Sequence, residues 1–152
     1  MPSLAVSSVF AAVLVAALLV RFWLATRQMR HVAANRDAVP AAFASAVSLA
    51  AHRRAADYTL AKGRFGLIAT TYAAAVLLGW TLLGGLDALN GAVLAAIAPN
   101  WGPMAYQLVL LAAFALIGGV IELPFTLYST FVIEQRFRFN RTTLRLFVAD
   151  LL

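Results

Sequence analysis

The run Ile121-Glu-Leu-Pro-Phe-Thr-Leu-Tyr-Ser-Thr-Phe-Val-Ile-Glu-Gln-Arg-Phe-Arg-Phe-Asn-Arg-Thr-Thr143, continued by Leu144-Arg-Leu-Phe-Val-Ala-Asp150, decides how the chain is read. It starts inside an apolar stretch, with Glu122 two residues before Pro124, and leaves it through Tyr128, Phe131 and Ile133. It ends where Arg136, Arg138 and Arg141 interleave with Phe137 and Phe139. A passage from apolar residues into arginines mixed with aromatics reads as a helix leaving a bilayer. A carboxylate inside such a segment is costly in lipid, so Glu122 has to face other helices or water. Pro124 lacks an amide hydrogen and crowds the preceding turn, which predicts a kink there.

The composition around that run belongs to the same class. Of 152 residues, 63% are hydrophobic and 12% charged, with a mean hydropathy of +0.87. Soluble domains carry charge at about twice that frequency. The charges here gather in two blocks separated by long apolar runs, and the expected fold is all-α, a helical integral membrane protein with about three transmembrane helices. Absence of cysteine excludes a disulfide framework, a thiolate metal site and a cysteine nucleophile.

Three spans are expected, at about residues 4–24, 65–86 and 104–133, in a single membrane domain with a helical cytoplasmic loop at 25–64 and a tail at 134–152. No positive charge precedes the first apolar run, so it reads as a retained anchor rather than a cleaved signal peptide. Its helix should run on through Arg36 and stop at Val39, since the residue before Pro40 is pushed from helical angles. Pro40 then suits the first turn of a new, alanine-rich helix through Ala61, with Lys62-Gly63-Arg64 marking re-entry to the membrane. In the second span Ala75 and Gly79, four residues apart, invite close approach of another helix. Asp87 through Pro103 reads as a loop with a short apolar piece, closed by the turn-rich Pro99-Asn-Trp-Gly-Pro103.

Basic residues set the expected orientation. Arg27, Arg30, Arg36, Arg53, Arg54, Lys62 and Arg64 follow span one, and Arg136, Arg138, Arg141 and Arg145 follow span three; the loop between spans two and three has none. The positive-inside rule then places the amino terminus outside and both basic segments in the cytoplasm. The expected location is a bacterial inner membrane or, in a eukaryote, the endoplasmic reticulum. The bilayer is the expected partner, with anionic lipid a candidate at the basic loop. Nucleic acid is a poor reading of the pI of 10.8, because the basic residues flank membrane spans. Asn140-Arg-Thr142 matches a glycosylation acceptor, yet would lie on the cytoplasmic side.

Two blocks, Arg27–Phe65 and Leu123–Leu152, resemble the type 1 CAAX prenyl protease family. The first resembles that family's first cytosolic loop, where a His-Arg pair precedes Val-Pro, and carries Val39-Pro40 and then His52-Arg-Arg-Ala-Ala-Asp-Tyr-Thr59; the second is the run quoted above. Asn35 stands where the family pattern has histidine, and Arg138 where it has glycine between two phenylalanines. The resemblance implies a multi-pass membrane zinc endopeptidase, with this stretch just ahead of its catalytic half. Zinc chemistry of that kind needs two histidines one helical turn apart with a glutamate between them. His31 and His52 lack that pattern, so no catalytic, metal or cofactor residue is assigned in this chain; zinc is expected in the intact protein.

The leading expectation is therefore the amino-terminal scaffold of such a protease, inactive alone and partnered by the catalytic part of the same protein. The alternative is a self-standing, non-catalytic membrane scaffold or interaction protein. Five residues stand out as candidates for lining a substrate chamber or bracing structure: Arg21, Glu122, Glu134, Arg136 and Asn140. Arg21 lies 17 residues after Leu4 and Glu122 lies 18 after Met104, so at about 1.5 Å per residue both fall near one depth and are expected to pair. Glu122 keeps two readings, that structural pairing and a functional one in a chamber or proton path.

Overall fold

The computed structural model describes residues 2–139 and 142–151. Helix α1 (Pro2–Ala34) passes from the apolar stretch into the basic one without a break. No glycine follows its start and its proline sits in the first turn, where the missing amide hydrogen matters least. At about 1.5 Å per residue its 33 residues reach ~50 Å, well past a hydrocarbon core of about 30 Å.

The expected helix from Pro40 is reduced to one 3-10 turn, Ala41–Phe43. Helix α2 (Leu49–Thr81) begins later, because Ser48 supplies the cap: its hydroxyl accepts the Ala51 amide hydrogen at 3.2 Å. From there α2 continues through Lys62-Gly63-Arg64 to Thr81. Gly63 is where α1 approaches closely, since a methyl group there would come within 3.0 Å of the Met29 sulfur. A side chain at Gly79 would meet nothing within 4 Å, but Gly85, at the start of the next helix, lies so near that a methyl group on it would come within 2.8 Å of the Gly79 carbonyl oxygen.

Gly84, with φ of 79°, turns the chain out of α2. Helix α3 (Gly85–Tyr128) then occupies most of the expected loop. Asp87 favours this start, lying in the first turn where the helix dipole is positive. The first part of α3 meets α2 at 53°. Within α3 the backbone leaves helical angles at Gly102 (φ 75°, ψ 177°), just before Pro103. Pro124, where a kink is expected, keeps helical angles, and a π-helical turn follows at Ser129–Glu134. Helix α4 (Leu144–Leu151) is capped by Thr143, whose hydroxyl accepts the Leu146 amide at 3.3 Å.

The chain divides into two compact units, one of residues 1–19 and 69–124 and one of residues 20–68 and 125–152. In the first, the Tyr106 hydroxyl donates to Asn90 across the Gly102 break, and Trp80 meets Phe114 edge-on at 5.1 Å. In the second, Phe65 lies 5.8 Å from Phe125 and 5.0 Å from Tyr128, and Phe131 meets Phe147 at 5.6 Å.

The surface settles the solvent. Among the described residues the buried apolar side chains are Ala56, Ala74, Val93 and Ile133, while Leu4, Leu111 and Val120 are each about two-thirds exposed or more. Water would not tolerate so much contiguous apolar area, and lipid does. Leu4–Ala34 and Trp101–Glu134 are long and apolar enough to cross a membrane, and Leu49–Thr81 with Gly85–Ile97 makes a third if that bent pair is one span. The protein is an all-helical integral membrane protein.

Candidate functional site

Polar chemistry concentrates in the second unit, on Asn35–Asp37 and on the charged turns of α2 ahead of its apolar part, which starts at Phe65. Arg36 grips Asp57 with both prongs, Nε on one carboxylate oxygen at 2.7 Å and Nη2 on the other at 2.8 Å. This fork geometry is the strong form of the arginine–carboxylate pair. It holds the Asp57 carboxyl below the usual carboxylate range against the opposing effect of desolvation, with Arg136 and Arg53 adding to the pull. The same contacts hold the Arg36 guanidinium above its ordinary value. Asp37 accepts from Arg53 at 2.6 Å and from Arg36 at 3.3 Å. His52 Nε2 donates to the Asn35 carbonyl at 3.0 Å, and the Asn35 amide donates to the His31 carbonyl at 2.9 Å. The loop between α1 and α2 is thus tied across by two acids, two arginines and a histidine.

The second block closes onto the same face of α2. Tyr58 and Lys62 are one turn apart, and Lys62 Nζ donates to the Tyr58 hydroxyl at 3.0 Å and to Glu134 at 3.2 Å. Tyr58 meets Phe137 edge-on at 5.6 Å and Phe139 at 4.8 Å. What aims those phenylalanines is the way the helix ends. The Phe139 amide donates to the Glu134 carbonyl at 2.9 Å and the Arg138 amide to the Gln135 carbonyl at 3.0 Å. That pair of bonds is a Schellman cap, which requires a left-handed residue between them. Arg138 takes that conformation with φ of 61°.

Of the five sequence candidates, the structure brings Glu134 and Arg136 to this cluster: Glu134 through Lys62, and Arg136 beside Asp57 with its guanidinium 5.8 Å from the Phe137 ring. Arg21 is exposed on α1 in the second unit, and Glu122 is exposed on α3 in the first. Asn140 lies outside the described residues. Reasoning from sequence missed Arg36, Asp57, Tyr58 and Lys62 as a set; the available signal was the Ala-Asp-Tyr-Thr run itself, whose Tyr58 stands four residues before Lys62. A pocket of about 430 Å³ opens beside the cluster, lined by Val47, Ala51, His52, Arg54, Ala55, Phe137, Arg138 and Phe139.

These residues do not fit a zinc ion. His31 lies on α1 and His52 on α2, and no metal-holding group of three His, Cys, Asp or Glu side chains occurs among the described residues.

Residues 28–152 match the family described as CAAX prenyl protease N-terminal, five membrane helices. The probable CAAX prenyl protease 1 of Schizosaccharomyces pombe is 33% identical over 127 residues, 77% of this chain and 27% of that protein. The CAAX prenyl protease 1 homolog of Oryza sativa subsp. japonica is 43% identical over 47 residues, covering 31% of this chain and 11% of that one. A crystal structure of Ste24p from S. mikatae superposes with a TM-score of 0.81 at 20% identity over 92% of this chain and 33% of that one, which shows the fold. The chain therefore spans about a quarter to a third of the length of the first relatives it matches.

Proposed function

The chain belongs to the CAAX prenyl protease family, as its amino-terminal membrane part, and from that premise we propose that it is the membrane scaffold of a zinc-dependent endopeptidase acting on membrane-associated or prenylated peptides. The observation that carries this reading is the junction of the two blocks. Lys62–Glu134 and Tyr58 against Phe137 and Phe139 lock the start of α2 to the segment that follows the last span. A scaffold has to present that outgoing segment in one fixed pose, and a capped, aromatic-packed turn supports such a role. Glu134, Arg136 and Asn140 would brace the catalytic part there. The chemistry of hydrolysis, and the zinc, would come from residues outside this chain.

The orientation belongs to the same proposal: amino terminus outside, basic segments in the cytoplasm, in a bacterial inner membrane or the endoplasmic reticulum. The test is to express the full open reading frame that contains this chain beside residues 1–152 alone, purify both, and assay zinc content and peptide cleavage. The expected result is chelator-sensitive cleavage by a product that carries a His-Glu-x-x-His helix after residue 152, and none by the isolated chain. A reading frame that stops at residue 152 would support the non-catalytic scaffold instead. Cleavage by residues 1–152 alone would overturn both.

A further inference from the structure

The pocket beside the cluster is unlike the cluster in its charge balance. Around it, three cations are paired, Arg36 by Asp57 and Asp37, Arg53 by Asp37 and Lys62 by Glu134, and Arg136 lies within the pull of Asp57. In its wall stand Arg54 and Arg138, and among the described residues neither has an ion-pair partner. The lining carries no carboxylate, and apart from His52 the other residues are apolar: Val47, Ala51, Ala55, Phe137 and Phe139. Arg138 also keeps a left-handed backbone that favours glycine, which places a guanidinium on the rim where the turn alone would do without one.

Distance decides what can reach this pocket. His52 stands thirteen residues before Phe65 on one uninterrupted helix, about 20 Å at 1.5 Å per residue. The headgroup layer beyond the hydrocarbon is only about 5–8 Å deep on each side. Even with the helix tilted by about 40°, the upper end of the usual range, ~15 Å of height remains. A phospholipid headgroup is out of range, and a small inorganic anion would leave both phenylalanines unused.

We propose that this pocket docks an acidic polypeptide segment, with one carboxylate between Arg54 and Arg138 and a neighbouring apolar side chain against Phe137, Phe139, Ala51 and Ala55. Guanidinium groups recognise carboxylates by paired hydrogen bonds, and the apolar wall supplies the contact area that a bare charge lacks. The inference does not depend on the protease reading, since it concerns a binding surface this chain carries itself.

The probe is a fluorescein-labelled peptide of alternating glutamate and phenylalanine, with its glutamine counterpart, titrated by anisotropy against the purified chain in detergent. Saturable binding of the glutamate peptide is expected, weakened about tenfold or more in the glutamine peptide, in Arg54→Gln and in Arg138→Gly. Arg138→Gly relieves the turn, so its loss cannot be ascribed to misfolding, and Arg64→Gln, outside the pocket, should bind like the parent. Equal affinity for the two peptides, or unchanged affinity in both pocket variants, would overturn the proposal. So would absence of binding at about 1 mM peptide, or displacement of the peptide by phosphatidylserine vesicles but not by phosphatidylcholine vesicles.

Discussion

Arg138 occupies a backbone region that a Cβ atom makes costly, and it does so between the two hydrogen bonds that end the helix. Arg138→Gly should therefore raise thermal stability in detergent by about 0.5–1 kcal/mol, and Arg138→Val should lower it, because a β-branched side chain fits that region worst. The same measurement on both variants checks the assignment; a destabilised glycine variant would count against it. Asp57 offers a pH test. Its carboxyl is held below the ordinary range by the Arg36 fork, so the stabilisation is fully present above the unfolded carboxyl value and is lost as pH falls through the lower folded one. The melting temperature of the parent should thus fall more steeply than that of Asp57→Asn in acid, and the two should keep a constant gap from neutral pH down to the ordinary carboxylate range. The need for glycine at Arg138 was legible in the sequence as a departure from the family pattern. The partner of Arg36 was not, since 21 residues separate it from Asp57 and no periodicity links them.

At the scale of the elements, Ser48 sets where the second helix begins. The second helix, expected from Pro40, starts after Ser48, whose hydroxyl accepts an orphan amide. Ser48→Ala should cost about 1 kcal/mol in thermal stability, while Ala42→Gly, in the 3-10 turn, should cost less than half of that. Equal losses would mean that the helix effectively starts earlier. Gly63 tests the contact of α1 with α2. Gly63→Leu should be strongly destabilising, by about 2 kcal/mol or more, and Met29→Ala in the same chain should recover part of the loss by vacating the space. The sequence reads Lys62-Gly63-Arg64 as re-entry to the membrane; the contact with α1 that the glycine permits leaves no further trace in it.

For the whole molecule, hydropathy and charge were enough to read an all-helical membrane protein, because lipid demands long apolar helices whatever their packing. They were not enough to see that residues 85–101 are helical, since a helix lying between two glycine breaks has the composition of a loop. The expected orientation is open to a direct check: cysteines at Ala51 and Asn90 should label oppositely with an impermeant reagent in sealed cells, Asn90 from outside. Labelling of Ala51 alone would invert the topology. The π turn at Ser129–Glu134 bears on how the water-side cluster is aimed. Such a turn holds one residue more than an α turn, so it sets a phase difference of about 100° between the residues before it and those after. Phe125 and Tyr128 before it face Phe65, and Glu134, its last residue, faces Lys62, three residues from Phe65 on α2. Deleting Thr130 would restore the ordinary pitch and swing Glu134, Phe137 and Phe139 away from Tyr58 together, turning one lost residue into the loss of the entire junction.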